Sequence, residues 1–568
     1  MKLNRLSLNT IGLNRIGLNR SGSTSVGSSV TDRPYISPDV LSALAGVWIA
    51  DGKSNTDPDR NIIKNKLPGR GGDFEIFNAA YKLNSGFGKY DEDFSTMKDY
   101  GTKGIVRTSS KIYLDESFDY DKGFWLGYTN SPSPAYKVRV SGIPKDGVLN
   151  YTGGSWINLI NGINELPART NTEEIHGFVA QTPNVDWSKL VIEQIPEYEG
   201  SFVTDGVNDM IVSQNTVEEM GITDEFTVVS MIHQITLRGA TAAALTNYIR
   251  QPIGYEYVRN HVANIGKTGI YGYAVYDVNH SNANNSHVIN TILGDKNDYS
   301  IHITGNLSQG KFSVQGYINS DNNIVELSQV AWYWTFIAKR ALTTDEINQV
   351  IAYYNLDKHV MPDIYYDVKK QGLTNDTPDE DWYLKDFSGN GRDMTLYNYA
   401  RTPESGINEE GGLQSDGVDD YGQFVGDLGL KDYTVAVDRA YQDENVNCVP
   451  FISSVGRTGG APFLMEMVHP TSHVTYPYSF GTPTESVVLN SSRQISYQST
   501  YVYNRNSIAR GNSVKTGDGL TIGSNEGVSQ YSKLCLWSFL LFPYTLSEFL
   551  LERQLKKHKL GTLYPGMV

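Results

Sequence analysis

Short runs in which apolar and polar residues alternate recur along most of this chain. After Gly69–Asp73 comes the alternation Phe74-Glu75-Ile76, ending in Asn78-Ala79-Ala80. Tyr136-Lys137-Val138-Arg139-Val140 alternates without a break, and Ile105-Val106-Arg107 and Leu190-Val191-Ile192-Glu193 lie between Gly, Pro and Asn turns. Successive side chains of a strand point to opposite faces, so such runs predict β-strands. Two longer apolar strands, Val330–Ile337 and Leu534–Phe542, are each followed by a helical stretch, Thr343–Tyr354 and Ser547–Lys557. Thr343 or Thr344 and Ser547 suit helix N-caps, with acidic residues in the first turn. Strands closed by one terminal helix, twice over, predict an all-β chain of tandem sandwiches, each with a helical lid.

The two halves are copies. Residues 52–86 align with 372–406 at a constant offset of 320, and 11 of the 35 positions are identical. Among these are Asn55/Asn375, Asp59/Asp379, Gly69/Gly389, Gly71/Gly391, Asp73/Asp393, Asn78/Asn398 and Ser85-Gly86/Ser405-Gly406. The strings Asp205-Gly206-Val207-Asn208-Asp209 and Asp416-Gly417-Val418-Asp419-Asp420 also correspond. Each reads as a tight turn, with Gly at positive φ, that hands the chain into a strand. Aromatic-Thr-Val strands follow, Phe226-Thr227-Val228 and Tyr433-Thr434-Val435. The Gly-x-Gly-x-Asp core has no strand before it and no helix after it, so it reads as a turn and not as a dinucleotide loop. At the Asp-Gly strings the offset has fallen to 211, so the first copy holds 109 extra residues. They read as a small β-domain inserted in a surface loop. The chain therefore divides into 1–31, an N-terminal segment; 32–88 plus 197–360, the first sandwich; 89–196, the insertion; and 361–568, the second sandwich.

Residues 1–22 repeat with a period of five: Leu3-Asn4-Arg5, Leu8-Asn9-Thr10-Ile11, Leu13-Asn14-Arg15-Ile16, Leu18-Asn19-Arg20. That period fits neither an amphipathic helix nor an alternating strand, and Arg interrupts any signal-like apolar core. The pattern by itself reads as a tail. If a partner surface takes it, Leu3, Leu8, Ile11, Leu13, Ile16 and Leu18 form an apolar strip and Arg5, Arg15 and Arg20 add positive charge. Residues 23–31 read as a linker.

Composition narrows the function classes. The 37 Tyr and 54 Gly suit a turn-rich β protein. A formal net charge of −15 disfavours nucleic acid as a partner. No run approaches the roughly 18 apolar residues of a spanning helix, so membrane insertion is not expected. Cys448 and Cys535 are too few for a disulfide framework; separate packing and a single bridge both stay open.

The order Gly-x-Gly-x-Asp, Asp-Gly-Val-[Asn/Asp]-Asp, aromatic-Thr-Val, and a last strand before Ala341-Leu342-Thr343 with Glu346-Ile347 resembles laminin-G-like domains of the concanavalin A-like lectin/glucanase superfamily. That resemblance implies jelly-roll sandwiches. The Leu13-Asn14-Arg15-Ile16-Gly17 type of start and the end Glu552–Pro565 together resemble virion appendage proteins of crAss-like phages of gut bacteria. This implies a tail, collar or head-fibre protein, assembled in the host cytoplasm and located in the virion. Its expected partners are other virion proteins through residues 1–22, sister subunits in a homotrimer, and host-surface glycan. The alternative is a secreted or surface glycan-binding protein or glycoside hydrolase of the same superfamily.

Catalytic chemistry finds few residues. Glucanases of the superfamily carry Glu-x-Asp-x-Glu along one strand, which places the acids on one face. No Glu-x-Asp occurs here, and the cluster Asp115, Glu116, Asp119, Asp121 reads as a solvated turn. His469 and His473 have metal-like spacing but flank Pro470 in a loop-like stretch. The expectation is a protein that is not an enzyme and needs no cofactor. Calcium is the ion that the laminin-G resemblance implies at a sandwich rim. Asp51, Asn55, Asp57 and Asp59 would supply hard oxygens for it, against a bland reading as a polar loop of Asx-turns.

Overall fold

A computed structural model describes residues 34–560, apart from 68, 100–101, 120–122, 129–131, 153–155, 170–175, 181, 183–184, 223–225, 237–242, 249–258, 262–273, 276–285, 295–310, 315–316, 319–323, 326, 328, 442–449, 456–460, 468–474, 485–491 and 526–528. The chain is all-β. In the first half, an eight-stranded sheet is centred on Phe226–Thr236 and the apolar strand Gln329–Ala338. A six-stranded sheet containing Met210–Ser213 and Phe74–Phe77 faces it. Between them lie Trp48, Phe74, Phe87, Phe202, Phe226 and Trp332, with Trp48 stacked on Phe74 at 4.2 Å. The second half repeats the plan with two eight-stranded sheets. One is centred on Thr434–Tyr441 and Leu534–Phe542, the other on Tyr421–Val425 and Gly519–Ile522.

Two further five-stranded sheets are built wholly from strands between Lys98 and Gln194. Tyr136–Ser141 alternates buried and exposed residues as its sequence predicts. The run Ile192–Tyr198 is divided between two strands. Val191–Gln194 pairs inside the insertion, while Glu197–Val203 pairs with Gly86–Lys89 and Gln329–Ala338 of the first sandwich. Pro196 has no N–H to give a ladder, and the chain changes sheet there.

The terminal helices form where their caps predict. Thr343 caps Thr344–Tyr353 in a capping box with Glu346, and Ser547 accepts from the Leu550 N–H to start Glu548–Lys557. They are not separate lids. Ile347, Val350 and Ile351 of one and Leu550, Leu551 and Leu555 of the other join a single apolar cluster. It also takes Met231, Trp334 and Phe336 from the first sandwich and Ala436, Leu540 and Phe542 from the second. Ser286 and His287 pair in parallel with Thr545 and Leu546, so a strand of the second half extends a sheet of the first.

Candidate functional site

Several of the residues shared by the two copies hold backbone. Asn55 Oδ1 accepts the Phe87 N–H at 2.7 Å while its Nδ2 donates to the Phe87 carbonyl at 3.4 Å. Asn375 makes the same pair of bonds to Ile407, at 2.7 and 2.9 Å. Asn78 and Asn398, both at positive φ, donate to the carbonyls of Asn208 and Asp419, each at 2.9 Å. Ser85 and Ser405 each accept a backbone N–H at 2.8 Å. These identities are the joints of a duplicated scaffold.

The expected calcium ligands do not converge. Asn55 is the buried clamp just described. Asp57 accepts from the Ser54 N–H and hydroxyl at 2.9 and 2.7 Å, closing the short turn over residues 54–57. Asp59 pairs with Lys53 at 2.7 Å. Asp51 pairs with Lys358 and, at 3.1 Å, with His359 Nε2. Burial raises the Asp51 pKa, but the hydrogen bonds and charge interactions with Lys358 and His359 outweigh it and hold the carboxyl below its ordinary value. Each carboxylate has its own protein donor, and the three do not come together as one cluster.

Among the described residues, the three carboxylates whose oxygens lie within 4.8 Å of one another are Asp416, Asp419 and Asp420. They belong to the second Asp-Gly turn. Asp416 Oδ1 accepts the Val418 N–H at 2.7 Å, and Asp420 Oδ2 accepts the Asp416 N–H at 2.9 Å. Asp205 and Asp209 repeat both bonds at the same distances in the first copy. Gly206 and Gly417 sit at φ +73° and +79°, as the turn requires. The cluster thus closes on its own backbone. Asp209 Oδ1 and Asp420 Oδ1 are buried without a hydrogen-bond partner, and burial pushes both carboxyls up to about 6.

The other acidic cluster is also a turn: Asp115 Oδ1 accepts from the Ser117 N–H and hydroxyl at 2.8 and 2.6 Å. Asp121, His469, His473, Cys448 and the anchor residues Leu3, Arg5, Leu8, Ile11, Leu13, Arg15, Ile16, Leu18 and Arg20 lie outside the described residues. Cys535 is buried, with Sγ 3.1 Å from Asn408 Nδ2.

What does form is a cleft beside Asp51. The segment after helix Thr344–Tyr353 folds back over the outer face of strand Gln329–Ala338, which encloses a cavity of about 220 Å³. Tyr333, Trp334 and Tyr354 supply aromatic wall, and Asp51, Lys66 and His359 supply polar wall. Gly200 comes so close that a Cβ there would sit 2.2 Å from His359 Nε2. A second cavity of about 180 Å³ shares Gly200 and lies against the insertion, with Arg139 and Glu193 in its wall. Asp51, one of the residues expected to hold calcium, lies in the wall of this cleft. Its partners lie 307 and 308 positions away, and no local signal joins them.

No family model and no curated protein matches this chain. Among solved structures it is similar to Trypanosoma rangeli sialidase in complex with sialic acid, at 11% identity and TM-score 0.26 over 92% of this chain and 97% of that one. Another Trypanosoma rangeli sialidase structure gives 10% identity and TM-score 0.25 over 93% and 95%. A likeness of that size carries no argument about activity.

Proposed function

We propose that the chain is a non-enzymatic structural protein of a bacteriophage virion, a tail, collar or head fibre held to the particle by residues 1–22. Its sandwiches and inserted domain face the host surface and attach to glycan there, in a homotrimer with sister subunits. The observation that carries this reading is the shared apolar seam. A display arm must keep its outer face at a fixed distance from its anchor. Two sandwiches joined by one apolar cluster and a common sheet suit that task better than two domains on a flexible linker. The sequence of the N-terminal repeat supports the anchor. Its apolar strip cannot bury itself in 22 residues, and each Leu or Ile placed in a partner groove would contribute roughly 1.5–3 kcal/mol.

The test is assembly. Removing residues 1–22 should leave a protein with the same circular dichroism and melting profile that no longer enters particles. Replacing Leu8, Ile11, Leu13 and Ile16 by Ser, with the Arg residues kept, should have the same effect. Normal incorporation of either variant would show that the repeat is a tail and remove the anchored-fibre reading.

A further inference from the structure

We propose that one outer face of the inserted domain binds a neutral oligosaccharide, with one sugar ring packed on Trp125 and another on Trp156. That the oligosaccharide belongs to a host surface rests on the attachment reading above; its chemistry rests on the face itself.

The chain has eight tryptophans, and six of them are 8% exposed or less. Trp125 is 40% exposed and Trp156 is 57% exposed. Both stand on one sheet, in which Trp156–Leu159, Leu149–Thr152, His176–Ala180 and Phe124–Tyr128 pair in that order. Leu126, Phe178, Tyr151 and Ile157 form a cross-strand row that faces the core of the insertion. The rows on either side of it therefore point outward. One carries Trp125, Val179, Asn150 and Asn158; the other carries Gly127, Gly177, Thr152 and Trp156. The opposite sheet of the insertion carries Arg139 and Glu193, which line the cavity of about 180 Å³ together with Lys53 and Ser54 of the first sandwich. The tryptophan face thus lies on the side of the insertion away from that cavity, where a surface ligand can reach it.

The spacing sets the size of the ligand. Three strand steps of about 4.8 Å and a two-residue step of about 7 Å separate the tryptophans, which places their Cα atoms roughly 16 Å apart. One sugar ring does not reach both; a short oligosaccharide does. The span measures about 14 by 7 Å, roughly 100 Å², against the ~800 Å² that each partner gives to a standard protein interface. A second copy of the chain is therefore not its occupant.

The groups along the span set its class. An indole is amphipathic, with an apolar face and a polar edge, which suits the C–H face and the hydroxyls of a sugar ring. Between the two rings, the Asn150 and Asn158 side chains make no hydrogen bond among the described residues. An amide both donates and accepts, as sugar hydroxyls do. Gly127 and Gly177 keep the floor low, and a Cβ on Gly177 would collide with the Leu126 carbonyl. Neither row carries a charged residue between the tryptophans; Lys98, paired with Gly127, stands one strand beyond Trp125. A carboxylated sugar would lose hydration here without gaining a cation, on a chain whose net charge is already −15. Neutral sugar meets no such cost. Both tryptophans lie on paired strands backed by the core of the insertion, so little freedom is lost on binding.

The full-length chain should be titrated by calorimetry and ligand-observed NMR with neutral tetrasaccharides of glucose, galactose, mannose and N-acetylglucosamine. The corresponding monosaccharides and tetragalacturonate are the comparison ligands. At least one neutral tetrasaccharide should bind roughly tenfold more tightly than its monosaccharide and than tetragalacturonate. Trp125→Ala and Trp156→Ala change exposed side chains, and each should weaken that binding at least about fivefold with the melting profile unchanged. Trp125→Phe and Trp156→Phe keep an aromatic face and should retain part of it. Lys98→Met, outside the span, should leave it as it was. Binding of none of the tetrasaccharides, equally tight binding of a monosaccharide or of tetragalacturonate, full binding by either Trp→Ala variant, or loss of binding in Lys98→Met would each overturn the assignment. Because these titrations need no particle, the face can fail while the anchor at residues 1–22 stands, and the reverse. Tetrasaccharide binding that survives both Trp→Ala changes would remove this face and leave glycan attachment itself standing.

Discussion

Asp209 and Asp420 hold the same place in the two sandwiches, each with one carboxylate oxygen on a backbone N–H and the other buried without a partner. Burial lifts both to about 6, above the roughly 3.9 of an Asp in an unfolded chain. Between those values the folded protein keeps two protons that the unfolded chain has released. Their contribution therefore favours the fold at about pH 4 and is lost as the pH rises through 6. Asp209→Asn with Asp420→Asn keeps an acceptor for the backbone N–H and carries no charge. The stability of that double variant relative to the native protein should rise between about pH 4.5 and 7.5 in urea denaturation; a constant difference would mean that neither carboxyl titrates in this window. These residues were legible as a repeated motif, and so were Asn55 and Asn375. Their work was not. A cation-binding Asn and a backbone-clamping Asn look alike until the facing strand is known. Here a Cβ on Gly86 or Gly406 would lie 2.4 Å from the Asn Oδ1, so the glycine is the partner that completes the clamp.

Among elements, the insertion shows how a local pattern and a long-range one combine. Gly86–Lys89 and Glu197–Val203 are neighbours in the first sandwich, with Lys89 opposite Glu197 and their charged groups 2.5 Å apart. The inserted residues thus leave and return at one place. Their core of Phe94, Ile112, Leu126, Val138, Phe178 and Trp187 shares no residue with the cluster inside that sandwich. Replacing 90–196 with a short Gly/Ser linker should leave a folded protein that still melts cooperatively by circular dichroism. A broad, non-cooperative melt would show that the insertion completes the sandwich core. The strands here were readable because period two survives in each half-buried run. The break at Pro196 was less so, because a run of suitable residues on both sides of a proline hides a change of sheet. The helix starts at Thr343 and Ser547 were readable for a different reason: caps are local chemistry and do not depend on what packs above them.

For the whole molecule, the property that sequence did not disclose is the seam. Each terminal helix has one apolar face, and an apolar face says that something covers it, not what. Each helix reads as a lid on its own sandwich; in the structure both enter one cluster that takes residues from each half. Arg553 of the second helix reaches Asp357, just beyond the first, at 3.0 Å, and Ser286 and His287 pair with Thr545 and Leu546. If this seam couples the halves, they unfold together. Calorimetry on the native chain should then show one dominant transition for the two sandwiches. Leu550 is fully buried in the seam. An Asp there would put a charge into an apolar layer with no partner, which is strongly unfavourable. Leu550→Asp should split the transition into two, with both sandwiches still folded at low temperature. Leu550→Ala, the milder change, should lower the midpoint by an amount that corresponds to roughly 2–5 kcal/mol without splitting it. Two separated transitions already present in the native protein would mean that the seam is contact without coupling. The stiff arm on which the attachment reading depends would then have to be sought in the partners of residues 1–22.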